Sequence, residues 1–266
     1  MKEITSVNNS YIKELMKLKQ KKYRDEEKRF LVEGYHLVEM AKGCLEIVLV
    51  TKKEDVNKYG NGIQYILVKD EIIKKLSDTK TPQGIIGVCK IKYNKDIKEI
   101  ININNSNKKD LVVMLDGLQD PGNIGTIIRT SLSFGVNTIV FSDTCVDCYN
   151  EKVIRGSQGG IFKINMLKGK LIEYISEYRK CKYDIIGTSL NNASSLDEVD
   201  IDKLNNKKVI VFGNEGNGVS EEVLNNTDIN LYIPINDMES LNVGVAAGIL
   251  LYILKWDTKN INLYKK

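Results

Sequence analysis

The sequence is poor in the residues on which several common kinds of site depend. It has one histidine, His36, among 266 residues, which argues against histidine acid–base catalysis. The five cysteines are an odd number scattered along the chain, which argues against a disulfide framework. Cys145 and Cys148 have the spacing of a metal-ligand pair, but no second pair follows. We therefore expect two reduced thiols in a loop rather than zinc, and no metal.

Long apolar runs are also missing. No run reaches the roughly 18 residues needed to cross a bilayer, and the first residues lack the apolar core of a secretory signal. The mean hydropathy of −0.25 and the 28% of charged residues are normal for a soluble globular protein. These features predict a cytoplasmic protein that does not span a membrane.

Positive charge is concentrated in the first third of the chain. Residues 1–92 contain 19 Lys and Arg against 13 Asp and Glu, whereas the remainder contains 20 against 22. A basic surface suits a polyanion because bound phosphates release their counterions. A solvated helix face is the alternative that composition leaves open. Candidates for anion contacts in this region include Lys21, Lys22 and Arg24.

The chain reads as two α/β parts separated by a polar stretch. In residues 1–92, short apolar runs alternate with helical patterns, which predicts a small α/β unit. Residues 93–109 are polar and asparagine-rich, and we predict a linker there. In residues 110–266, fully apolar strands alternate with helices, which predicts a parallel sheet covered on both faces.

Three polar segments lie beside predicted strands of the second part: Asp120–Arg129, Phe212–Gly218 and Ile233–Val243. In the first, Asn123 is a good N-cap and Gly135 a good C-terminal stop for a helix. Arg129 falls on the face of this helix opposite the apolar stripe. A surface or interface salt bridge and a grip on a phosphate or hydroxyl both stay open for Arg129.

The second segment follows a predicted parallel strand at its carboxyl end, where α/β sheets bind nucleotides and cofactors. Its glycines, Gly213, Gly216 and Gly218, match neither the dinucleotide fingerprint nor a phosphate loop, so NAD and ATP are not indicated. Glu215 among them could accept hydrogen bonds from a cationic or hydroxylated ligand. In the third segment, Ser240 could cap the helix that follows.

The order of these segments resembles one family. Asn123 with Arg129 six residues later, then Gly213–Gly216, then Ile233–Val243 resemble the three ordered motifs of the SpoU/TrmH family. These are S-adenosylmethionine-dependent RNA 2′-O-ribose methyltransferases of the SPOUT superfamily, and the resemblance covers residues 110–256. The sequences FLVEG at 30–34 and TPQG at 81–84 resemble signals of the family's substrate-binding domain, which is related in fold to small ribosomal proteins.

The resemblance implies an architecture and a set of site residues. It implies an RNA substrate-binding domain at 1–92, a catalytic α/β trefoil knot at 110–266, and a homodimer. The implied S-adenosylmethionine contacts are Thr188, Gly213, Ile233, Leu241 and Asn242. The implied catalytic set is Arg129, Asn123, Glu215, Ser240 and Asn242. Lys152 and Arg155, three apart on one face of a predicted helix, are candidates for RNA phosphate contacts.

Our hypothesis for the reaction is an in-line methyl transfer in which positioning supplies much of the rate. Arg129, which stays charged, would stabilise the developing ribose alkoxide while the proton leaves to an RNA phosphate or water. The favoured substrate is large-subunit (23S) rRNA. A tRNA substrate and a non-catalytic RNA-binding role stay open, whereas a nucleotide-dependent synthetase is disfavoured by the missing phosphate-loop lysine.

Overall fold

The computed structural model describes residues 2–91, 97–105 and 109–256. Its contacts group the chain into an N-terminal unit, Met1–Lys92 with Asp147–Phe162, and a C-terminal unit, Tyr93–Val146 with Lys163–Lys266. Each predicted domain is one continuous stretch of the chain. This grouping differs from them in two respects: residues 147–162 belong to the N-terminal unit, and residues 93–109 are grouped with the C-terminal unit.

The N-terminal unit contains a five-stranded mixed sheet. Its strands are β1 (Lys2–Ile4), β2 (Arg29–Glu33), β3 (Leu45–Val50), β4 (Gln64–Val68) and β5 (Ile85–Lys90), in the spatial order β1-β4-β3-β5-β2. β4 is parallel to β1 and β3, and β5 is antiparallel to β2 and β3. Its helices are α1 (Ser10–Lys17), α2 (Lys21–Glu27), α3 (Tyr35–Met40), α4 (Asp70–Leu76) and, numbered in chain order, α7 (Glu151–Gly156).

The C-terminal unit contains a seven-stranded sheet in which every neighbouring pair is parallel. Its strands are β6 (Asp110–Asp116), β7 (Thr138–Phe141), β8 (Asn165–Lys168), β9 (Asp184–Thr188), β10 (Ser194–Ser195), β11 (Lys207–Gly213) and β12 (Ile229–Tyr232). Its helices are α5 (Ile97–Asn105), α6 (Pro121–Ser133), α8 (Leu171–Lys180), α9 (Glu221–Leu224) and α10 (Val243–Lys255). The spatial order is β10-β12-β9-β11-β6-β7-β8.

The predicted parallel sheet is confirmed, and its central strands are buried along almost their whole length. One face packs in a core with helix residues that include Ile175 and Tyr178 of α8, and Val223 of α9. Successive residues of a strand point to opposite faces, so every second strand residue faces the other side of the sheet. On that side, α10 contacts β11 and α6. The knot that the resemblance implies stays a prediction.

The middle of the predicted linker is helical. Ile97, Ile100 and Ile101 recur at helical spacing within the asparagine-rich stretch, and they join the core of the C-terminal unit in α5. The prediction of a linker is therefore wrong for residues 97–105, because this apolar stripe is strong enough to be buried. Residues 93–96 and 106–108 of the predicted linker lie outside the described part of the chain.

The end of α6 confirms one predicted signal. Gly135 has φ +72°, its N–H donates to Leu132 O at 3.0 Å, and the Val136 N–H donates to Ser131 O at 2.8 Å. These two bonds form a Schellman motif, in which a left-handed residue closes the helix.

Within residues 2–91, 97–105 and 109–256, no helix combines the length and the apolarity that crossing a bilayer requires.

The strand order brings the loops of the site together. β11 lies between β6 and β9, although it follows both in the chain, and β12 lies beyond β9. The carboxyl ends of parallel strands meet at one edge of a sheet, and ligands bind there where the strand order reverses. The loops after β6, β9, β11 and β12 therefore share this edge.

Candidate active site at the carboxyl edge of the parallel sheet

Helix α6 begins directly after the loop that follows β6. Asp120 is its N-cap, and the Asp120 Oδ1 atom accepts a hydrogen bond from the Asn123 N–H at 2.9 Å. Pro121 occupies the first helical position, where its missing N–H is not needed. The prediction that Asn123 caps this helix is wrong, because the helix starts one turn earlier than the apolar periodicity indicated. This leaves the Asn123 side chain free to bond elsewhere.

The second segment folds back on the end of β11. Asn214 and Gly218 exchange two backbone hydrogen bonds of 2.9 Å, and the Asn214 Oδ1 atom accepts the N–H groups of Gly216 and Asn217. A Cβ atom on Gly213 would lie 2.0 Å from Gly218 C and Val219 N. Because backbone atoms cannot move aside cheaply, this turn requires glycine at position 213.

The third segment contains Asn242, which is the N-cap of α10. Its Oδ1 atom accepts hydrogen bonds from Gly244 N at 2.9 Å and Val245 N at 3.3 Å. The prediction that Ser240 could cap this helix is wrong, because α10 starts two residues later than a Ser240 cap requires. Ser240 is exposed in the loop before the cap.

The Asn123 side chain joins all three segments. Its Nδ2 group donates to Glu215 Oε1 at 3.1 Å, and its Oδ1 atom accepts from Asn242 Nδ2 at 2.9 Å. One amide thus connects α6, the turn after β11 and the start of α10. The structure brings together Asn123, Glu215 and Asn242 of the predicted catalytic set.

The Glu215 carboxylate is held at the N-terminus of α6. It accepts the backbone N–H groups of Gln119 at 3.3 Å and Asp120 at 3.2 Å, in addition to the Asn123 amide. Burial raises the pKa of Glu215, but these hydrogen bonds outweigh burial, so its pKa lies below the ordinary value. The N–H groups before α6 and the helix dipole favour the same charged form.

This geometry changes the interpretation of Glu215. The sequence suggested that the carboxylate could accept hydrogen bonds from a ligand, but three donors of the protein already use it. Glu215 therefore fixes the position of the loop before α6 relative to the turn after β11. We infer that it shapes the site rather than contacting the reacting atoms.

Arg129 lies on the exposed side of α6, whereas Ile124, Ile127 and Ile128 are fully buried. The predicted orientation away from the apolar stripe is confirmed. Among residues 2–91, 97–105 and 109–256, the Arg129 guanidinium has no hydrogen bond or ion pair. The surface salt bridge considered for Arg129 does not form there, and its five donors are available to a ligand.

The predicted cofactor contacts lie at the ends of three neighbouring strands. Thr188 ends β9, Gly213 ends β11, and Ile233 follows β12. The Thr188 hydroxyl donates to Val211 O at 2.9 Å, so it ties β9 to β11. Leu241, in the loop before α10, is 36% exposed.

Two further apolar residues near this edge did not emerge from the sequence. Leu190 follows β9 and is 59% exposed, and Met238 follows β12 and is 73% exposed. Large apolar side chains in otherwise polar loops after adjacent strands are a signal that could have identified them. Like Leu241, they are large apolar side chains exposed in loops that follow strands at this edge.

The predicted RNA contacts divide into two groups, both in the N-terminal unit. Lys21 and Lys22 are exposed but lie within salt-bridge distance of Asp25 and Glu26. Lys152 is exposed and Arg155 half-buried on α7, and neither side chain has an ion pair in the described part of the chain. The second group is the one available to phosphates.

Arg24 corrects the prediction of a direct RNA contact. It is 3% exposed, and its guanidinium bonds to Asp147 Oδ2 at 2.6 and 2.8 Å and to Leu18 O at 2.8 Å. A buried guanidinium with these partners cannot reach a phosphate. Sequence analysis could not anticipate this pair because its two residues are 123 positions apart.

The two spaced cysteines differ in their surroundings. The Cys145 thiol is buried and donates to Leu115 O at 3.2 Å, and burial raises its pKa. Cys148 is half-buried. In the described residues, no group of three or more His, Cys, Asp and Glu side chains is arranged to hold a metal ion.

Comparison with known families identifies both parts of the chain. The model of the SpoU rRNA Methylase family matches residues 110–252. The model of the MRM3-like substrate binding domain matches residues 9–87.

Whole-chain relatives and solved structures agree with these matches. The 23S rRNA (guanosine(2553)-2′-O)-methyltransferase RlmP of Bacillus subtilis (strain 168) is 35% identical, over 96% of this chain and 100% of the relative. The crystal structure of an AdoMet-bound rRNA methyltransferase from Sinorhizobium meliloti superposes with a TM-score of 0.84 at 26% identity, covering 94% of this chain and 96% of that one. The SpoU methyltransferase AviRb of Streptomyces viridochromogenes, at 21% identity and a TM-score of 0.78 over 92% and 96% of the two chains, shows the shared fold.

Proposed function

Since the chain belongs to the SpoU rRNA methylase family, we propose that it transfers a methyl group from S-adenosylmethionine to a ribose 2′-hydroxyl of 23S rRNA. The observation that carries this proposal is the junction at Asn123. It joins the three family segments through Glu215 and Asn242 while leaving Arg129 unpaired in the described chain. The Asn123, Glu215 and Asn242 side chains bond to one another and so fix the three segments, while the Arg129 guanidinium stays available to a substrate. Such an arrangement is suited to hold two substrates in a fixed geometry.

The sheet edge fits S-adenosylmethionine. We propose that backbone groups of Gly213, Ile233 and Leu241 bind it, with Thr188 and Asn242 supporting their loops. Leu190, Met238 and Leu241 would cover the apolar ring of the adenine, since their exposed side chains follow neighbouring strands. When bound, this cofactor supplies an electrophilic methyl group on a sulfonium.

Arg129 is the proposed catalytic residue. A ribose hydroxyl is almost entirely protonated at neutral pH, and an arginine cannot remove its proton because it stays charged. The guanidinium would instead donate hydrogen bonds to the oxygen as negative charge develops there. The proton leaves to an RNA phosphate or to water.

The other predicted catalytic residues would hold this arrangement. Asn123 fixes the turn of Glu215 and the cap of α10 relative to α6. Asn242 starts α10 immediately after the proposed cofactor contact Leu241. Ser240, exposed in the same loop, is a candidate for a contact with either substrate.

The relatives support ribosomal RNA as the substrate. The Bacillus relative, named for a guanosine of 23S rRNA, aligns along its entire length with this chain. The match of residues 9–87 to a substrate-binding domain agrees with an RNA-binding role for the N-terminal unit. A cytoplasmic location, where ribosomal RNA is modified, follows from this proposal. A tRNA substrate is the alternative because the family name of several relatives covers both RNAs.

A homodimer is part of the proposal. Val245, Tyr252 and Trp256 are 52%, 37% and 52% exposed, at positions i, i+7 and i+11 along and just after α10. An apolar stripe of this spacing marks a helix face that a second helix can cover. A charged residue at Val245 should therefore shift the sedimentation of the protein from dimer to monomer, and an unchanged dimer would contradict this interface.

The proposed reaction can be tested with purified protein. We expect calorimetric binding of S-adenosylmethionine and transfer of labelled methyl to an unmodified 23S rRNA transcript, with the product located by 2′-O-methyl mapping. Transfer to a tRNA transcript alone would replace the substrate assignment. RNA binding without cofactor binding at millimolar concentration would establish the non-catalytic alternative.

A further inference from the structure

The loop between α4 and β5 is ordered by polar contacts alone. None of its eight residues, 77–84, is buried, so no apolar core holds it in place. The Glu33 carboxylate accepts the hydroxyls of Ser77 and Thr79 and, at 3.3 Å, the Asp78 N–H. An exposed loop held by a rigid scaffold is the usual position of residues that bind a partner.

The acidic groups of this loop region already have partners within the protein. Lys19 donates to Ser77 O at 3.1 Å and to Asp78 Oδ1 at 2.9 Å, and the Glu33 oxygens are used by the loop itself. Lys80, at the exposed tip, has no ion pair or hydrogen bond among the described residues. Within residues 77–84, Asp78 is paired with Lys19, so the charge of the loop that has no ion-pair partner in the described chain is that of Lys80.

Gln83 has a fixed orientation. Its Oε1 atom accepts the Tyr35 N–H at the start of α3 at 3.0 Å, which assigns the amide because only the oxygen can accept that proton. The Nε2 group consequently points away from this bond. It has no acceptor in the described part of the chain, and the side chain is exposed. Gln83 thus presents two directed donors.

A second unpaired cation borders the same part of the unit. Arg155 of α7 lines a small cavity together with Glu33, Leu76 and Glu151, so its helix packs beside the anchor of the loop. Lys152, one turn away on α7, is exposed and unpaired in the described residues. Lys80 and Lys152 are exposed cations with no ion pair among the described residues, which suits a phosphate backbone, whereas Arg155 shares its cavity with two carboxylates.

We propose that loop 77–84 is an RNA-reading element of the N-terminal unit. Lys80 binds a backbone phosphate, and the Gln83 amide donates to an acceptor on a nucleotide other than the methylated one. Phosphate contacts position RNA, and directed hydrogen bonds to base or ribose atoms add selectivity. This inference rests on the proposed function, since it requires an RNA substrate.

The variant Gln83→Glu separates this role from a purely structural one. It keeps an oxygen to accept the Tyr35 N–H but replaces the two donors with an acceptor. The matched control is Gln64→Glu, which introduces the same charge at another exposed glutamine of the N-terminal unit. Lys80→Ala is matched with Lys75→Ala, an exposed lysine on α4.

The measurements are the affinity for a 23S rRNA transcript at several salt concentrations, KM and kcat for methyl transfer, and S-adenosylmethionine binding by calorimetry. We expect Lys80→Ala to weaken RNA binding and to lower the slope of log K against log salt by about 1. Gln83→Glu should raise the RNA KM about tenfold or more, the range of one directed hydrogen-bond contact. Cofactor binding and the controls should stay at wild-type values.

The possible failures are distinguishable. If Gln83→Glu and Lys80→Ala match their controls while the wild-type protein methylates RNA, loop 77–84 does not read RNA. If Gln83→Glu lowers thermal stability and cofactor binding together with RNA binding, the glutamine is only a helix cap. If the wild-type protein transfers no methyl group to any RNA, the proposed function itself fails.

Discussion

Arg24 in the N-terminal unit and Arg129 in the C-terminal unit have the same side chain in opposite surroundings. Arg24 is 3% exposed and bonds to Asp147 and to a backbone carbonyl. Arg129 is exposed and has no polar partner within the described residues. Arg24 was predicted to contact RNA because it lies in a basic region, and Arg129 was predicted to act on the ribose because of its place in the first segment. The difference shows that a cation indicates a binding site only when its donors are not already used by the protein.

Breaking the buried pair should have the largest effect. Arg24→Ala leaves the Asp147 carboxylate buried without its partner, which we expect to lower the free energy of unfolding by about 3–5 kcal/mol. Denaturant unfolding of the purified protein measures this. The double variant Arg24→Leu/Asp147→Leu should recover much of the loss, because it removes both charges. A loss below about 1 kcal/mol for Arg24→Ala would show that the pair is not a structural anchor.

Removing Arg129 should impair catalysis and leave stability almost unchanged, which is the reverse of the effect expected for Arg24. Arg129→Ala is expected to lower kcat about 100- to 1,000-fold, the range for removing one donor to a developing oxyanion. Stability should change by less than about 0.5 kcal/mol because the side chain is exposed. Single-turnover methyl transfer, with cofactor affinity and unfolding measured in parallel, tests this. Near-normal turnover in a variant that still binds RNA would remove Arg129 from the mechanism.

Glu215 extends the comparison to an anion that the protein uses internally. Its pKa is lowered in the folded protein, so its charge stabilises the fold above the unfolded pKa near 4.5, and this stabilisation is lost as pH falls through the folded pKa. Glu215→Gln should cost about 1 kcal/mol at pH 7, a small value because the side chain is exposed. The free energies of unfolding of the two proteins should converge as pH falls through the folded pKa of Glu215, and a difference that does not change with pH would refute this origin.

The smallest effects should come from paired surface lysines. Lys21→Ala and Lys22→Ala remove exposed pairs with Asp25 and Glu26, which contribute only a few tenths of a kcal/mol. Lys152→Ala, which removes an unpaired cation, should weaken RNA binding more than either and lower its salt dependence by about one ion. Equal effects of the three substitutions on RNA affinity would mean that an ion pair within the protein does not prevent a lysine from binding RNA.

Apolar patterning predicted most of the fold, because the central strands are fully buried and the helices have clear stripes. The helical pattern of residues 70–76 coincides with α4, and the apolar run of residues 138–141 coincides with β7. Strands β8 and β10 were missed because they are short, and NMLK and SS have little apolar signal. Helix α5 was missed because its isoleucines are diluted by asparagines.

The sequence predicted which segments form the site better than it predicted the role of each residue in them. The three segments do meet, but Asp120 and Asn242 cap the helices for which Asn123 and Ser240 were expected. A cap depends on where the helix starts, and several polar residues in a row leave that start ambiguous. The Asn123–Glu215 bond spans 92 residues, and no local pattern encodes such a contact.

The place of residues 147–162 in the N-terminal unit affects how such proteins can be recombined. The chain passes between the two units after residues 92, 146 and 162, so a single cut does not release an intact RNA-binding module. A transplant of residues 1–92 alone would leave Phe30 without the rings of Tyr149 and Phe162, and Arg24 without Asp147. A chimera with a new RNA specificity would have to exchange residues 1–92 and 147–162 together. We therefore expect substitutions in these two stretches to be inherited together during evolution.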